Sequence, residues 1–302
     1  MKIYGAGLAG LLAACAFQDA QVFEAGARGI KRHKALLRFR SAAVGDAVGI
    51  EFRRVRVRKG IWHDGRFVQP DIRLANWYSR KVVGHMADRS IWNMESEDRW
   101  IAPVEFQEML VSRCERRITY NYEITLPDIR RLNEPAISTI PINVLHNLLL
   151  ADVPRVLARF PEQRPPTPIT VERYLLPGAD VHQTIYFPDP KLNLYRASIV
   201  GDILIVESVG DKDAQRPLYD AFGMTRGIGE FIDETKQPLG KISPIDEAWR
   251  KQFILWASQQ HGIYSLGRFA TWRNILLDDV LHDISVIRKL IVSHPYDHTL
   301  AN

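Results

Sequence analysis

The period of apolar and polar positions changes several times along the chain. Short apolar runs at Lys2-Ile3-Tyr4 and Gln21-Val22-Phe23 predict strands, and the apolar stretch from Leu11 to Phe17 between them predicts a helix. Residues from Ile169 to Val209 are rich in strand formers, whereas the tail from Asp246 to Ile291 returns to helical periodicity. No internal repeat appears, so the pattern predicts a compact α/β or α+β fold.

Shorter elements are predicted in the middle of the chain. Asp64-Gly65 is typical of a hairpin turn, and Pro103 to Arg113 predicts a helix with proline at its start. Ile137-Ser138-Thr139-Ile140-Pro141 predicts a strand stopped by proline, followed by a helical stretch to Leu150. A proline-rich linker runs from Pro161 to Pro168. With 302 residues in total, two discontinuous domains are expected.

The turn between the first strand and the first helix is Gly5-Ala6-Gly7-Leu8-Ala9-Gly10, a dinucleotide-binding fingerprint. Gly5 permits the tight turn, Gly7 lets a pyrophosphate approach the helix N-terminus, and Gly10 allows close packing of helix and strand. Glu24 directly follows the second strand, where an acid accepts hydrogen bonds from a ribose diol. The fingerprint therefore predicts a dinucleotide cofactor with a free 2′-hydroxyl, held in part by Leu8 and Ala9.

Composition restricts the class of protein. Hydrophobic residues make up 46% of the chain, no apolar run reaches membrane-spanning length, and a fingerprint that starts at residue 2 leaves no room for a signal peptide. We therefore expect a cytoplasmic protein without a membrane partner. The two cysteines, Cys15 and Cys114, fit reduced buried thiols better than a disulfide or a metal ligand. No spacing of His, Cys and acidic residues predicts a metal site.

Basic residues are concentrated in Phe52-Arg53-Arg54-Val55-Arg56-Val57-Arg58-Lys59, although the net charge is only +5. Alternation with period 2 predicts a strand with the valines on one face and an arginine ladder, defined as Arg54, Arg56 and Arg58, on the other. Arginine binds phosphates with planar bidentate donors, so the ladder suits a nucleotide diphosphate or a nucleic-acid backbone. A solvated edge strand protected by its charges is an equally good interpretation.

A second polar cluster is Asn76-Trp77-Tyr78-Ser79-Arg80-Lys81. Asn76, Tyr78 and Lys81 are candidate substrate ligands, because rings and cations together suit a pocket that stacks a flat ring and binds an anion. In the alternative interpretation the two aromatic rings are core and the cations lie outside.

Four phrases give the chain a family resemblance: the fingerprint, Ala136-Ile137-Ser138-Thr139-Ile140-Pro141, Ile185-Tyr186-Phe187-Pro188 with Tyr195-Arg196 after it, and Gly267-Arg268-Phe269-Ala270-Thr271-Trp272. In content and order they resemble the flavoprotein superfamily of UDP-galactopyranose mutases, protoporphyrinogen oxidases and amine oxidases. The resemblance favours FAD over NAD. It implies an α/β fold with a Rossmann-like FAD-binding domain (residues 1–60, 125–150 and 255–302) and a discontinuous, smaller mixed β substrate domain (residues 61–124 and 151–254).

The resemblance also implies roles for individual residues. Arg32, Gly267 and Arg268 would contact FAD, as would the start of the helix at Asp278, Asp279 and Val280, while Tyr186, Tyr195 and Arg196 would lie on the substrate side. Among the candidate proton carriers His33, His63 and His85, His33 directly follows Arg32 where resembling enzymes run past the flavin, so it is a catalytic candidate together with Tyr264. The Gly-Gly-Arg element of the family is absent apart from Arg32.

The short chain implies a reduced substrate domain and a pocket open enough for a polymer. The sequence therefore predicts an FAD-dependent oxidoreductase or lyase acting on a bulky anionic substrate. One hypothesis is oxidative C–N cleavage of an amino-acid-substituted thymine in DNA, since the chain also resembles compact phage-encoded flavoproteins that process such bases. A second is a mutase-like enzyme for a nucleotide sugar, and a third is a flavin-binding or nucleic-acid-binding module without turnover.

Overall fold

The computed structural model describes residues 1–29, 37–87, 91–162, 167–210, 216–224 and 229–293. The strands, in chain order, are β1 (Lys2–Tyr4), β2 (Gln21–Phe23), β3 (Arg38–Phe39), β4 (Arg53–His63), β5 (Arg66–Val68), β6 (Glu97–Ile101), β7 (Ile118–Thr119), β8 (Ala136–Ser138), β9 (Thr167–Leu175), β10 (Val181–Tyr186), β11 (Leu194–Gly201), β12 (Ile203–Val209), β13 (Glu230–Lys241) and β14 (Ile263–Ser265). The helices are α1 (Leu8–Ala16), α2 (Ala43–Val48), α3 (Ile72–Val83), α4 (Phe106–Cys114), α5 (Leu126–Arg130), α6 (Ile142–Leu148), α7 (Arg216–Phe222), α8 (Glu247–His261) and α9 (Leu277–Ser293), with a 3-10 turn at Glu115–Arg117.

Five short strands form a parallel sheet in the order β14-β8-β1-β2-β7. Helix α1 follows β1 because its Ala- and Leu-rich sequence favours a helix, and most of its residues are buried. One hydrophobic core packs α1, α4 and α9 on this sheet, and a second packs α6 and α8. Helices cover both faces of the parallel sheet, so the predicted α/β fold with a Rossmann-like unit is confirmed.

A larger mixed sheet has the order β13-β9-β12-β11-β10-β4-β6-β3, with β5 paired to β4 as a hairpin. Strands β10, β11, β12, β9 and β13 pair antiparallel, whereas β4 runs parallel to β10. Side chains alternate between two faces. One face packs against α3 and the other against α7. We call these the α3 face and the α7 face.

Two segments that the sequence analysis assigned to the substrate domain, residues 106–119 and 247–254, pack with the parallel sheet. Helix α4 packs on α1, strand β7 pairs with β2, and α8 packs beside β14. The tail also contains β14, a strand that the helical pattern does not predict. Within the described ranges, none of the helices combines the length and the apolar character needed to cross a lipid bilayer.

Candidate functional site

The three fingerprint glycines differ in what surrounds them. Gly5 has φ +101°, and a Cβ there would lie 2.2 Å from Thr139 Oγ1; a Cβ on Gly10 would lie 1.9 Å from the Gly5 carbonyl oxygen. These two glycines are needed for turn geometry and for packing. Among the described residues, a Cβ on Gly7 would meet no atom within 4 Å. Gly7 is also the N-cap of α1 and has no side chain to cap it, so no side chain at this position competes with a ligand for the first amides of the helix.

Glu24 reaches back to the fingerprint loop. Its carboxylate accepts hydrogen bonds from the amide of Ala6 at 2.7 Å and from the amide of Gly26 at 2.8 Å. A carboxylate has about four acceptor positions, so the two backbone donors leave capacity for a ribose diol. The predicted cofactor ligand Arg32 and catalytic candidate His33 lie outside the described residues.

The late Gly267-Arg268 motif lies beside the fingerprint. Gly267 has φ +91°, and a Cβ there would lie 2.8 Å from the Cβ of Ala9 in α1, so the chain passes close to the first turn of that helix. The half-buried Arg268 donates a hydrogen bond to the Gly240 carbonyl at 3.0 Å, which links the motif to β13. Tyr264, on β14, is half-buried, and burial raises the pKa of its hydroxyl.

The first turn of α9 contains Asp278, Asp279 and Val280, and Arg40 ties it to the end of β3. The Arg40 guanidinium donates to both Asp279 carboxylate oxygens at 2.7 and 3.1 Å, and the Arg40 amide donates to Asp278 Oδ1 at 3.0 Å. This hydrogen bonding by Arg40 lowers the pKa of Asp279. Val280 is buried in the core beneath α1. The α9 N-terminus is therefore held in place at the junction of the two sheets.

A buried charge cluster lies on the α3 face of the mixed sheet. The Arg196 guanidinium donates to both oxygens of Glu207, with Nη2–Oε1 at 2.7 Å, and Tyr195 donates to the same carboxylate at 2.9 Å. Burial alone would raise the pKa of Glu207, but the charge and hydrogen bonds of Arg196 outweigh burial and lower it. Burial and the Glu207 charge raise the pKa of Tyr195. The Lys241 ammonium lies 5.4 Å from the centre of the Tyr195 ring.

Sequence reasoning missed Arg38, which reaches from β3 onto this face. It donates to Thr184 Oγ1 at 2.6 Å and to the carbonyls of Gln183 and Ile199 at 3.3 and 3.0 Å. Its Nε is buried without a hydrogen-bond partner among the described residues. Burial and the charge of Arg196 lower the pKa of Arg38 to about 10. The cluster thus has more cations than anions, which favours an anionic ligand.

Aromatic rings form the wall next to this cluster. Tyr78 of α3 is buried, with its ring 5.5 Å from Tyr186 and 6.3 Å from Tyr195. Lys81 donates to the carbonyls of Phe187 and Leu194 at 2.6 and 3.1 Å, so it fixes α3 to the β10–β11 connection. The structure therefore brings together the predicted substrate residues Tyr78, Lys81, Tyr186, Tyr195 and Arg196. Asn76, on the same helix, is half-buried.

The arginine ladder has the predicted alternation on β4, with Val55 and Val57 buried and all three arginines exposed. Arg54 and Arg56 pair with Asp98 of β6, the second at 3.3 Å. Ile61 of β4 lies opposite Tyr186 of β10, and both side chains are on the α3 face. Arg58, three residues before Ile61, therefore points to the other face, so the ladder projects from the α7 face. The structure does not bring the ladder together with Arg196 and Tyr186.

The remaining histidine candidates lie in structural surroundings. The buried His63 ring packs edge-on against Trp77 at 5.7 Å, and its Nε2 lies 3.1 Å from Asp64. His85 Nδ1 lies 2.9 Å from the Val83 carbonyl. Within the described residues, one group could bring three ligand atoms near one another, namely His63, Asp64 and Asp189. Asp64 is exposed at a hairpin turn, and the group lies away from the fingerprint.

Comparison with known proteins supports the fold. No family model matches the sequence, and no curated protein matches it. A structure of reduced UDP-galactopyranose mutase matches with a TM-score of 0.66 and 13% identity, covering 99% of this chain and 97% of that chain. A CLA-producing fatty acid isomerase from P. acnes has a TM-score of 0.58 and 12% identity, over 97% and 98% of the two chains. A redesigned putrescine oxidase has a TM-score of 0.54 and 10% identity, over 96% and 98%.

The chain has the fold of these proteins. UDP-galactopyranose mutase is one of the enzymes that the sequence resembles, so the resemblance is confirmed at the level of fold. Identities of 10 to 13% carry the comparison no further than the fold.

Proposed function

We propose that the protein is an FAD-dependent enzyme that acts on a bulky anionic substrate. The observation that carries the proposal is the meeting of three features at the N-terminus of α1: the space at Gly7 that no described residue fills, the Glu24 carboxylate bound to the Ala6 amide, and the close approach of Gly267 to Ala9. A pyrophosphate fits at Gly7 and a ribose fits at Glu24, so the residues present match the cofactor.

Chain residues would position both the cofactor and the substrate. The amides and the positive dipole end of α9 would stabilise negative charge near Asp278 and Asp279, while Arg268, held at the Gly240 carbonyl, would supply a cation to the cofactor. On the α3 face, Arg38 and Arg196 would orient an anionic group, with Tyr78 and Tyr186 excluding water beside it. FAD, when bound, would supply the two-electron redox chemistry.

Purified protein should be yellow, or should gain a flavin absorption spectrum when mixed with FAD. The protein should bind FAD more tightly than FMN, because Glu24 and Gly7 would contact the adenosine diphosphate half of FAD, most of which FMN lacks. Absorption spectroscopy with each flavin and with AMP as competitor checks this. A protein that carries no flavin absorption once unbound FAD has been removed by gel filtration would exclude both enzyme hypotheses and the flavin-binding module.

Two substrate hypotheses follow. The exposed ladder supports a nucleic-acid substrate, for which we propose oxidative C–N cleavage at an amino-acid-substituted thymine in DNA: a row of arginines on an outer sheet face can follow a phosphate backbone. The mutase-like fold supports a nucleotide sugar, whose diphosphate would lie on the α3 face at Arg38 and Arg196. We favour the nucleic-acid hypothesis because a ladder outside the buried cluster suits a substrate longer than the pocket.

Salt dependence separates these hypotheses. DNA binding should weaken steeply with salt, and replacing the ladder arginines together by alanine should reduce the log–log slope by about 2, since each neutralised phosphate contributes about 0.9 and Asp98 offsets part of the ladder charge. A matched control is the triple alanine variant of three exposed arginines elsewhere, Arg131, Arg155 and Arg159. Fluorescence anisotropy with a short modified oligonucleotide measures the slope.

The mutase hypothesis gives the opposite result. UDP-galactose should perturb the flavin spectrum with little salt dependence, and the oligonucleotide should neither bind at low salt nor change that spectrum. A non-catalytic module would bind the oligonucleotide and FAD, yet no amine, nicotinamide or dithionite treatment would lead to substrate turnover.

A further inference from the structure

The only two cysteines of the 302-residue chain meet in the fold. Cys15 lies in the last turn of α1 and Cys114 is the last residue of α4, 99 positions later, yet their Sγ atoms are 3.9 Å apart. Cys15 is half-buried, whereas Cys114 has no exposed surface. Both sulfurs are free thiols at a helix–helix contact. This contact lies at the end of α1 opposite to the fingerprint.

A fixed cation lies beside the pair. Arg117 donates to the Cys114 sulfur at 3.6 Å and to the carbonyls at the end of α1, those of Ala14, Phe17 and Ala20, at 3.1 to 3.2 Å. A guanidinium at this distance stabilises a thiolate. The hydrogen bond from Cys15 and the charge of Arg117 lower the pKa of Cys114 to about 7, while the same hydrogen bond and burial raise the pKa of Cys15.

We propose that Cys15 and Cys114 are a modification site, at which a hydroperoxide converts the two thiols to a reversible intramolecular disulfide. The sulfurs must approach from 3.9 Å to about 2.05 Å. Both residues lie in the last turns of their helices. The half-buried Cys15 is the point of entry, and Cys114 is the resolving residue.

The reaction balances in two steps. Cys15 loses its proton to solvent and attacks one peroxide oxygen, the O–O bond breaks, and the products are a Cys15 sulfenic acid and a hydroxide that takes a proton from solvent. The Cys114 sulfur then attacks the Cys15 sulfur, the S–O bond breaks, and the departing hydroxide takes the Cys114 proton. Two thiols are oxidised to one disulfide, and one peroxide is reduced to two waters.

Peptide mapping of the full-length protein tests the proposal. Reduced protein is treated with hydrogen peroxide, quenched with a maleimide and digested without reductant. We expect a linked peptide pair containing Cys15 and Cys114, loss of both free thiols, a monomer on a non-reducing gel, and full recovery with dithiothreitol. Closing a loop of this length should also raise the melting temperature by roughly 5–10 °C.

Two variants make the result specific. Cys114→Ser should stop at a Cys15 sulfenic or sulfinic acid, and Cys15→Ser should leave Cys114 reduced at the same peroxide dose. If the wild-type protein instead keeps Cys114 reduced while Cys15 is over-oxidised, forms dimers linked through Cys15, or keeps both thiols, the proposal is wrong. The wild-type map decides the matter even if a variant does not fold.

Discussion

Replacing Gly7 by valine should raise the dissociation constant for FAD about 100-fold or more, which corresponds to about 2.7 kcal/mol. The valine side chain would occupy the open space through which a pyrophosphate reaches the α1 amides. The apoprotein should keep its fold, because the new Cβ meets no atom of the described part of the chain within 4 Å. A weaker N-cap costs about 0.5–1 kcal/mol, which lowers the melting temperature by only a few degrees.

Two further glycine variants make this result interpretable. Gly10→Ala places a Cβ 1.9 Å from the Gly5 carbonyl, so it should lose stability and FAD binding together. Gly178→Asn lies in an exposed turn with φ +79° and open space, and should change neither, since asparagine tolerates this conformation. Isothermal titration with FAD and thermal melts of the apoproteins measure both quantities. Normal FAD affinity in Gly7→Val would remove the fingerprint from the proposed site.

The fingerprint could be predicted from sequence because its information is local. Strand, turn, helix, strand and acid follow one another within 24 residues, and the βαβ geometry fixes their arrangement. The ladder could be predicted for the same reason, since strand alternation needs no distant partner. The weak elements were the short strands β7 and β14, because two or three residues carry too little periodicity and depend on the sheet beside them.

The charge cluster could not be predicted from local pattern. Arg38 meets Thr184 across 146 positions, and only the curl of the mixed sheet brings β3 over β10 and β11. A usable signal existed for Glu207, which is the one acid inside the apolar run Ile203–Val209 and therefore required a buried partner. Strand register decides which face of the sheet a side chain occupies, and the β4–β10 register places the ladder on the face opposite to Arg196. Local sequence does not determine that register.

Replacing Glu207 by glutamine should cost about 2–4 kcal/mol of unfolding free energy. The amide keeps the shape and one hydrogen bond but loses the charge, so the Arg196 cation is left near Arg38 and Lys241 without its counterion. The lower part of the usual range for a broken buried pair applies because the Arg196 side chain is 27% exposed. Urea denaturation at pH 7 measures the loss.

A control variant and the pH dependence of unfolding show whether the stability lost in Glu207→Gln comes from a buried charge pair. Glu162 also binds an arginine, Arg159, at 2.6 Å, but both side chains are exposed, so Glu162→Gln should leave the urea midpoint almost unchanged. The folded pKa of Glu207 is lowered, so its contribution is complete above 4.5, the ordinary pKa of glutamate, and is lost as the pH falls through the folded pKa. The gap between wild type and Glu207→Gln should therefore be constant near neutrality and shrink in acid. Adding Arg196→Met to Glu207→Gln should recover part of the lost unfolding free energy, because no uncompensated cation remains at that position. If the losses of the two single variants simply add in the double variant, the two residues stabilise the sheet independently.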